Sequence, residues 1–300
     1  MLPMEQSRTL SGRSRFTAIF GDPVEHSLSP AMHNAAYAGL AMDRAYLAFH
    51  VTPDRLRDAI RAIPALGLLG VNLTVPHKQR AARMMARLSD EARILGAINC
   101  VVNREGVLSG DNTDARGLEA DLREAGLELE AKLAVIIGAG GAAAAAVLAA
   151  LRLGAGRIAI GNRTRARAQA LARRFARHIT ARGKDRARAT ITTCGLDTLT
   201  RPDLLAQAAL VVNATSIGLQ GGGFIPLDYA ATSDDCLFYD LIYAREPTPF
   251  LQSAAARGRR ALDGAGMLAE QGELAFELFN GTPPPPGAMR TALLAALGRA

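Results

Sequence analysis

Leu133 to Ile137 is an unbroken apolar run, followed at once by Gly138, Ala139, Gly140 and Gly141 and then by an alanine-rich stretch reaching Leu153. Five apolar residues without alternation read as a strand buried on both faces, which a parallel sheet covered by helices provides. The glycines permit a tight turn at the end of that strand, and the alanines predict the helix behind it. In that context the spacing Gly138-x-Gly140-x-x-Ala143 points to a dinucleotide-binding βαβ unit, whose backbone N–H groups approach a pyrophosphate at the helix N-terminus. A glycine turn joining any strand to any helix has the same local pattern, so the next strand has to separate the two.

That strand is Ile158 to Ile160, and it ends in Asn162, Arg163 and Thr164, with Arg167 one helical turn later. NAD-binding units carry a carboxylate here to hold the ribose 2'-hydroxyl. A carboxylate would repel a 2'-phosphate, whereas two guanidiniums and a hydroxyl attract it, so the pattern favours NADP over NAD. A solvated helix start would also explain Arg163 and Arg167. Leu210 to Asn213 and Leu237 to Asp240 predict two further strands of this unit.

The first half of the chain alternates in the same way. Phe16 to Phe20, Ala45 to Val51 and Leu68 to Val75 predict strands; Pro30 to Leu40, Pro53 to Ile63 and Gln79 to Leu88 predict helices. Ile98 to Asn103 and Gly106 to Gly110 predict a hairpin, and Ala115 to Ala125 a helix leading into the second unit. From Gly264 a helix to Phe279, a proline linker and a last helix from Ala288 are expected to pack back on the first domain. The reading is an α/β protein of two domains with a cleft between them. Residues 1–114 with 264–300 form a mostly parallel α/β/α substrate domain, and residues 115–263 a Rossmann-type NADP-binding domain.

Polar residues interrupt this apolar pattern at a few places. Ser27 and Ser29 stand at i and i+2 before a helix; Ser29, with Pro30 behind it, makes a good N-cap, while capping leaves Ser27 unexplained. Asn72 and Thr74 share one face near the C-terminal end of a strand, where open α/β sheets bind ligands. Lys78 follows in the loop. The chain has 35 Lys and Arg, yet its only lysines are Lys78, Lys132 and Lys184. Lysine sheds its proton when its surroundings demand it and a guanidinium does not, which makes Lys78 a candidate acid/base. Asp114 closes the polar run Asp111-Asn112-Thr113-Asp114. It or Thr113 serves as a helix cap, or the carboxylate orients the Lys78 amine in proton transfer.

Composition excludes several classes. With 49% hydrophobic and 21% charged residues the chain is neither disordered nor membrane-like, and Ala142 to Leu151 is too short to span a bilayer. Met1 to Arg15 lacks an apolar signal core, so a cytoplasmic protein is expected. Cys100, Cys194 and Cys236 are odd in number and widely spaced, and the five histidines show no ligand spacing; free buried thiols and no metal site are expected. The net charge of +7 carries no aromatic interleaving of the kind that stacks bases, so anionic small molecules rather than nucleic acid are the expected partners.

Together the motifs resemble those of the shikimate dehydrogenases over nearly the full chain. The resemblance runs through Gly21-Asp22-Pro23, Ser27-Leu28-Ser29-Pro30, Gly70 to Lys78, Gly96 to Asn99, Gly110 to Asp114, Gly138 to Ala142 and Asn162-Arg163-Thr164. It continues through Asn213 to Ser216, Tyr239 to Tyr243, and Asp263 to Leu268 with Gln271. It implies that Ser27, Ser29, Thr74, Asn99, Asp114, Tyr243 and Gln271, with Asn72 nearby, hold the carboxylate and hydroxyls of shikimate. Lys78 would be the acid/base. Gly138, Ala139, Gly140, Gly141, Ala142, Asn162, Arg163, Thr164, Arg167, Leu241 and Gly264, with Asp90, would hold NADP. Ala115 stands where the family usually has glycine, Ala144 to Ala146 replace a more polar helix start, and residues 178–193 are longer and more basic than expected. The implied enzyme reduces 3-dehydroshikimate with NADPH, as a monomer or homodimer. A quinate/shikimate dehydrogenase is the neighbouring reading. A sensor that binds NADP without turnover is the non-enzymatic one, and it would have no use for both Lys78 and Asp114.

Overall fold

The computed structural model describes residues 10–181, 189–218, 223–224 and 226–299. Residues 1–9, on which part of the signal-segment expectation rests, lie outside them, as do residues 182–188 of the basic stretch, Lys184 included. The chain divides into two compact units, residues 1–113 with 272–300 and residues 114–271.

The first unit opens with β1 (Arg15–Gly21), α1 (Ser29–Gly39), β2 (Arg44–His50), α2 (Leu56–Ala65) and β3 (Gly70–Leu73). The chain continues through α3 (Lys78–Ala82), β4 (Arg87–Leu88), α4 (Asp90–Leu95), β5 (Cys100–Arg104) and β6 (Val107–Asp111). The six strands lie in the order β2-β1-β3-β5-β6-β4. Pairing is parallel on both sides of β1, then antiparallel through the β5–β6 hairpin. Ala18, Phe20, Leu56, Ile60, Ile63, Val71, Leu73, Ile98 and Val101 fill the core beneath it.

Two local expectations fail here. Gln79 to Leu88 is not one helix: α3 ends at Ala82, and Arg87 and Leu88 pair with Ser109 and Gly110 of β6. The helix restarts because Ser89 is a strong N-cap, its Oγ accepting from Ala92 N at 3.1 Å, with Asp90 and Glu91 in the first turn. Gly96, in the left-handed conformation, ends it. Ser29 is not the cap of α1 either. It is already helical, and Leu28 occupies the cap position without a side-chain bond.

The second unit begins with α5 (Asp114–Glu124), β7 (Leu133–Ile137), α6 (Gly141–Arg152), β8 (Arg157–Gly161) and α7 (Arg165–Ala181). β9 (Thr190–Cys194), α8 (Pro202–Leu205), β10 (Ala208–Asn213), β11 (Leu237–Asp240), α9 (Pro249–Ala255) and β12 (Arg260–Asp263) follow. The last two helices of the chain are α10 (Ala265–Asn280) and α11 (Ala288–Ala296). This sheet is parallel throughout, in the order β12-β11-β10-β7-β8-β9, which is doubly wound. β7 is buried at all five positions, as its unbroken apolar run requires. Eight consecutive residues of α6, Ala143 to Ala150, are buried, so the helix is covered on all sides, by β7 on one and α5 on another, and its many alanines permit that close approach. The two strands that the sequence pattern does not single out, β9 and β12, are the sheet edges, partly exposed and short of apolar residues.

Cys100 and Cys236 are buried thiols outside any disulfide, whereas Cys194 at the edge is only half-buried. Among the described residues no helix is long and apolar enough to cross a membrane, and no cluster of His, Cys, Asp or Glu is arranged to hold a metal ion.

Candidate active site

In the first unit the residues singled out by sequence gather at the C-terminal ends of β1 and β3. Ser27 Oγ accepts from Ser29 N at 3.3 Å, and Ser29 is buried beside the Tyr46 hydroxyl. Tyr46 in turn donates to Asn72 Oδ1 at 2.8 Å. The Asn72 amide donates to the Asn99 carbonyl at 3.1 Å and to Cys100 Sγ at 3.2 Å. Asn72 is 5% exposed, so its carboxamide is engaged inside the unit, joining β2, β3 and β5. Burial pushes the Tyr46 phenol well above its usual range, which keeps it a donor.

Thr74 continues β3: its N–H donates to Phe20 O at 3.0 Å, and its methyl lies over Gly21, where a Cβ would collide with it. Lys78 is half-buried, at the first position of α3. Its carbonyl accepts from Ile98 N at 3.0 Å. His77, beside it, is held through Nε2 and Val51 O at 2.6 Å. Asn99 clasps Thr113 from both ends, its Oδ1 accepting from Thr113 N at 2.9 Å and its Nδ2 donating to Thr113 Oγ1 at 2.8 Å. One run of hydrogen bonds therefore connects the backbone of Lys78, through residues 98 and 99, to the residue preceding Asp114. In the sequence Thr113 stands out only as a capping candidate. The polar run before the helix is the available signal, but only the fold reveals that Asn99 reaches it.

In the second unit Asp114 is the buried first residue of α5, so it sits at the positive end of a helix. One turn on, Gly117 faces the backbone of Gln271, and a Cβ there would lie 2.7 Å from Gln271 N. That close approach brings Gln271 of α10 to the same end of α5. Gln271 Nε2 donates to Leu268 O at 2.9 Å. Tyr243 is half-buried, and desolvation raises its phenol pKa.

The glycine turn closes β7 tightly and leaves open backbone at the start of α6. Gly138 has φ +120, a conformation that side chains resist, and a Cβ would stand 2.8 Å from Ala214 O. Gly140 and Gly141 face open space instead: a Cβ on either would meet nothing within 4 Å. Gly140 caps α6 without a side-chain bond, so the N-terminal N–H groups of a twelve-residue helix are open to a ligand. Ala139 is half-buried and Ala142 exposed beside them. At the end of β8, Asn162 Nδ2 donates to Thr164 O at 2.9 Å, and Arg163, Thr164 and Arg167 are exposed. Arg165, which the sequence pattern does not single out, reaches back along this edge, where a Cβ on Gly195 would be 3.3 Å from its Nε. Leu241 lies against Gly264, where a Cβ would be 2.5 Å from Leu241 O. Asp90 is exposed at the start of α4, paired with Arg93 at 2.5 Å.

A doubly wound unit with a glycine turn and arginines, joined in one chain to an α/β unit carrying serines, asparagines and a lysine, defines a two-unit dinucleotide-binding protein. Family models agree. Residues 19–101 match the shikimate dehydrogenase substrate binding domain, residues 121–196 match shikimate / quinate 5-dehydrogenase, and residues 264–294 match the shikimate 5'-dehydrogenase C-terminal domain. A shikimate dehydrogenase (NADP(+)) of Geobacter sp. strain M21 is 40% identical over 293 residues, 96% of this chain and 98% of the relative. The shikimate 5-dehydrogenase of Thermus thermophilus, solved with NADP(H) and shikimate, is 35% identical with TM-score 0.82, covering 94% of this chain and all of that one. The quinate dehydrogenase of Corynebacterium glutamicum, solved with NAD, is 28% identical with TM-score 0.84, covering 94% and 99%. The chain belongs to the shikimate dehydrogenase family.

Proposed function

We propose that the chain is a cytoplasmic NADP-dependent shikimate dehydrogenase, reversibly reducing 3-dehydroshikimate to shikimate on the route to chorismate and the aromatic amino acids. The observation that carries the reading is the open glycine turn at α6 followed, after β8, by Asn162, Arg163, Thr164 and Arg167 with no carboxylate among them. NADPH, when bound, supplies the hydride. Gly138 to Ala142 offer backbone N–H groups to the pyrophosphate, and the Asn162 to Arg167 segment offers charge and hydroxyl to the 2'-phosphate. Leu241 and Gly264 complete the cofactor contacts. Asp90, held by Arg93, has the weakest claim among them.

Lys78 gives its ammonium proton to the carbonyl oxygen as negative charge develops there, and in the reverse direction its amine takes the proton from the hydroxyl. Asp114 orients that ammonium. Ser27, Ser29, Thr74, Asn99, Tyr243 and Gln271 hold the ring carboxylate and hydroxyls. Asn72 supports the others from within the unit, since its carboxamide is already engaged.

A second reading, a quinate/shikimate dehydrogenase, is favoured by the match of residues 121–196 to the shikimate / quinate model and by the likeness to the quinate dehydrogenase. The purified protein decides, in an assay that follows reduction of NADP and of NAD with shikimate and then quinate. Shikimate with NADP should be the best pair. Equal efficiency with NAD and with quinate would replace the first reading by the second, and no turnover of either acid would end both.

A further inference from the structure

Asp240, the last residue of β11, is completely buried and meets no Lys, Arg or His in an ion pair among the described residues. Its partners are neutral donors: Asn213 Nδ2 at 2.9 Å and Ile242 N at 3.0 Å to Oδ1, and Thr248 Oγ1 at 2.6 Å to Oδ2. Burying an unpaired carboxylate is costly, and burial does push its pKa up. The arrangement therefore requires a reason beyond stability.

The partners supply one. Asn213 ends the neighbouring β10, and the loop beyond it wraps round its side chain: Oδ1 accepts from Thr215 N at 3.0 Å and from Thr215 Oγ1 at 2.7 Å, while Thr215 Oγ1 accepts from Ile217 N at 3.1 Å. That loop is the floor of the glycine turn, since Ala214 O and Thr215 Cγ2 would lie 2.8 and 3.1 Å from a Cβ on Gly138. On its other side Asp240 fixes Ile242 N, directly after Leu241, whose carbonyl abuts Gly264. One carboxylate thus sets the height of two loops that border the dinucleotide contacts.

We propose that Asp240 is a positioning residue for dinucleotide binding, acting through Asn213 on the Gly138 turn and through Ile242 on the Leu241–Gly264 contact. The proposal rests on the reading of this unit as the NADP-binding one. Its reach does not extend to the ribose 2'-phosphate, which belongs to the Asn162 to Arg167 end of the sheet.

The test titrates NADPH, by its own fluorescence, and adenosine 2'-monophosphate, by competition, into the full chain and its variants. Asp240→Ala takes the carboxylate acceptor from Asn213 Nδ2, Ile242 N and Thr248 Oγ1, and should weaken NADPH about tenfold or more while changing adenosine 2'-monophosphate less than about twofold. Asp240→Asn should recover NADPH to within about threefold, because its oxygen can keep Asn213 and Ile242 while its amide donates to a rotated Thr248 hydroxyl. Thr248→Val removes the donor on the far side of the carboxylate, together with the hydroxyl that caps α9 at Leu251 N. It should weaken NADPH by about threefold, and it decides the matter should Asp240→Ala not fold. Unchanged NADPH affinity in folded Asp240→Ala, or in Thr248→Val in its place, overturns the proposal. So does equal weakening of both ligands, or an Asp240→Asn protein as impaired as Asp240→Ala. If the unmodified protein binds neither ligand, it is the reading of the unit that fails.

Discussion

Both units lock polar residues at their strand ends, but they offer different groups to a ligand. In the first, Asn72 and Asn99 are 5% and 2% exposed and are bonded to Tyr46, Cys100 and Thr113, so the proposed substrate site rests on side chains locked by other side chains. In the second, the proposed cofactor contacts are bare backbone at Gly140 and Gly141 and exposed cations at Arg163 and Arg167, supported from below by a buried network. A small ring with several hydroxyls has to be told from its isomers, which demands donors and acceptors held in place. A pyrophosphate and a 2'-phosphate are recognised by charge and by N–H groups that the fold presents in any case. The difference predicts that substitutions in the first unit cost catalysis or stability, and those at the arginines cost only cofactor choice.

The sharpest break is Lys78→Met, expected to lower kcat by roughly 10²- to 10⁴-fold while leaving NADP affinity nearly unchanged, since a general acid acts chiefly in the transition state. Steady-state kinetics beside a cofactor titration measures both. Lys78→Arg should fail almost as badly, as the charge stays and the exchangeable proton does not. Near-normal turnover in either variant would remove Lys78 from the mechanism.

The first unit also buries His33, stacked on Tyr46 with ring centroids 4.1 Å apart and close to Phe276, with no hydrogen bond to its Nδ1. Burial lowers its pKa from 6.5 to about 3. Between those values the unfolded chain takes up a proton that the folded one refuses, so the stability present above 6.5 is lost as pH falls. The loss should amount to roughly 3 kcal/mol by about pH 4. His33→Phe should flatten that part of the curve in urea unfolding followed from pH 7 to pH 4. An unchanged slope would mean that His33 is not the group responsible.

Third in size is cofactor choice. Replacing both Arg163 and Arg167 with alanine should cut the NADP-over-NAD preference in kcat/KM by about 10²-fold, taking each exposed charge-assisted contact at the low end of its range. The melting temperature should not move, because both side chains are exposed. A preserved preference would point to Arg165 or to another source of discrimination.

The smallest effect tests the side-chain half of the comparison. Asn99→Ala strips the acceptor from buried Thr113 N and should cost about 2 kcal/mol in urea unfolding. A variant as stable as the unmodified protein would show that the Thr113 clasp is not a support.

Where local chemistry has only one good outcome, the sequence by itself determined the structure. Leu133 to Ile137 had to be a doubly covered strand, and the glycines behind it a turn into a helix, because no other arrangement buries five apolar residues and uses three nearby glycines. At the end of β8 the guanidiniums and the missing carboxylate propose a phosphate ligand by charge alone. What needed the tertiary structure was every decision that depends on a distant partner. Gln79 to Leu88 breaks because β6 offers Leu88 a strand to pair with, and Ser29 leaves its capping role because α1 starts one residue early. β9 and β12 become strands by lying at the edges of a sheet whose centre the sequence does predict. Asn72 and Asn99 turn inward because Tyr46 and Thr113 arrive from elements 26 and 14 residues away. Asp240 is the extreme case. In sequence it is one acid closing an apolar strand, and only the parallel register that sets Asn213 opposite it turns it into the junction of two loops. A hydrogen bond between residues far apart in sequence leaves no periodicity to read, because its geometry exists only after the chain has closed on itself.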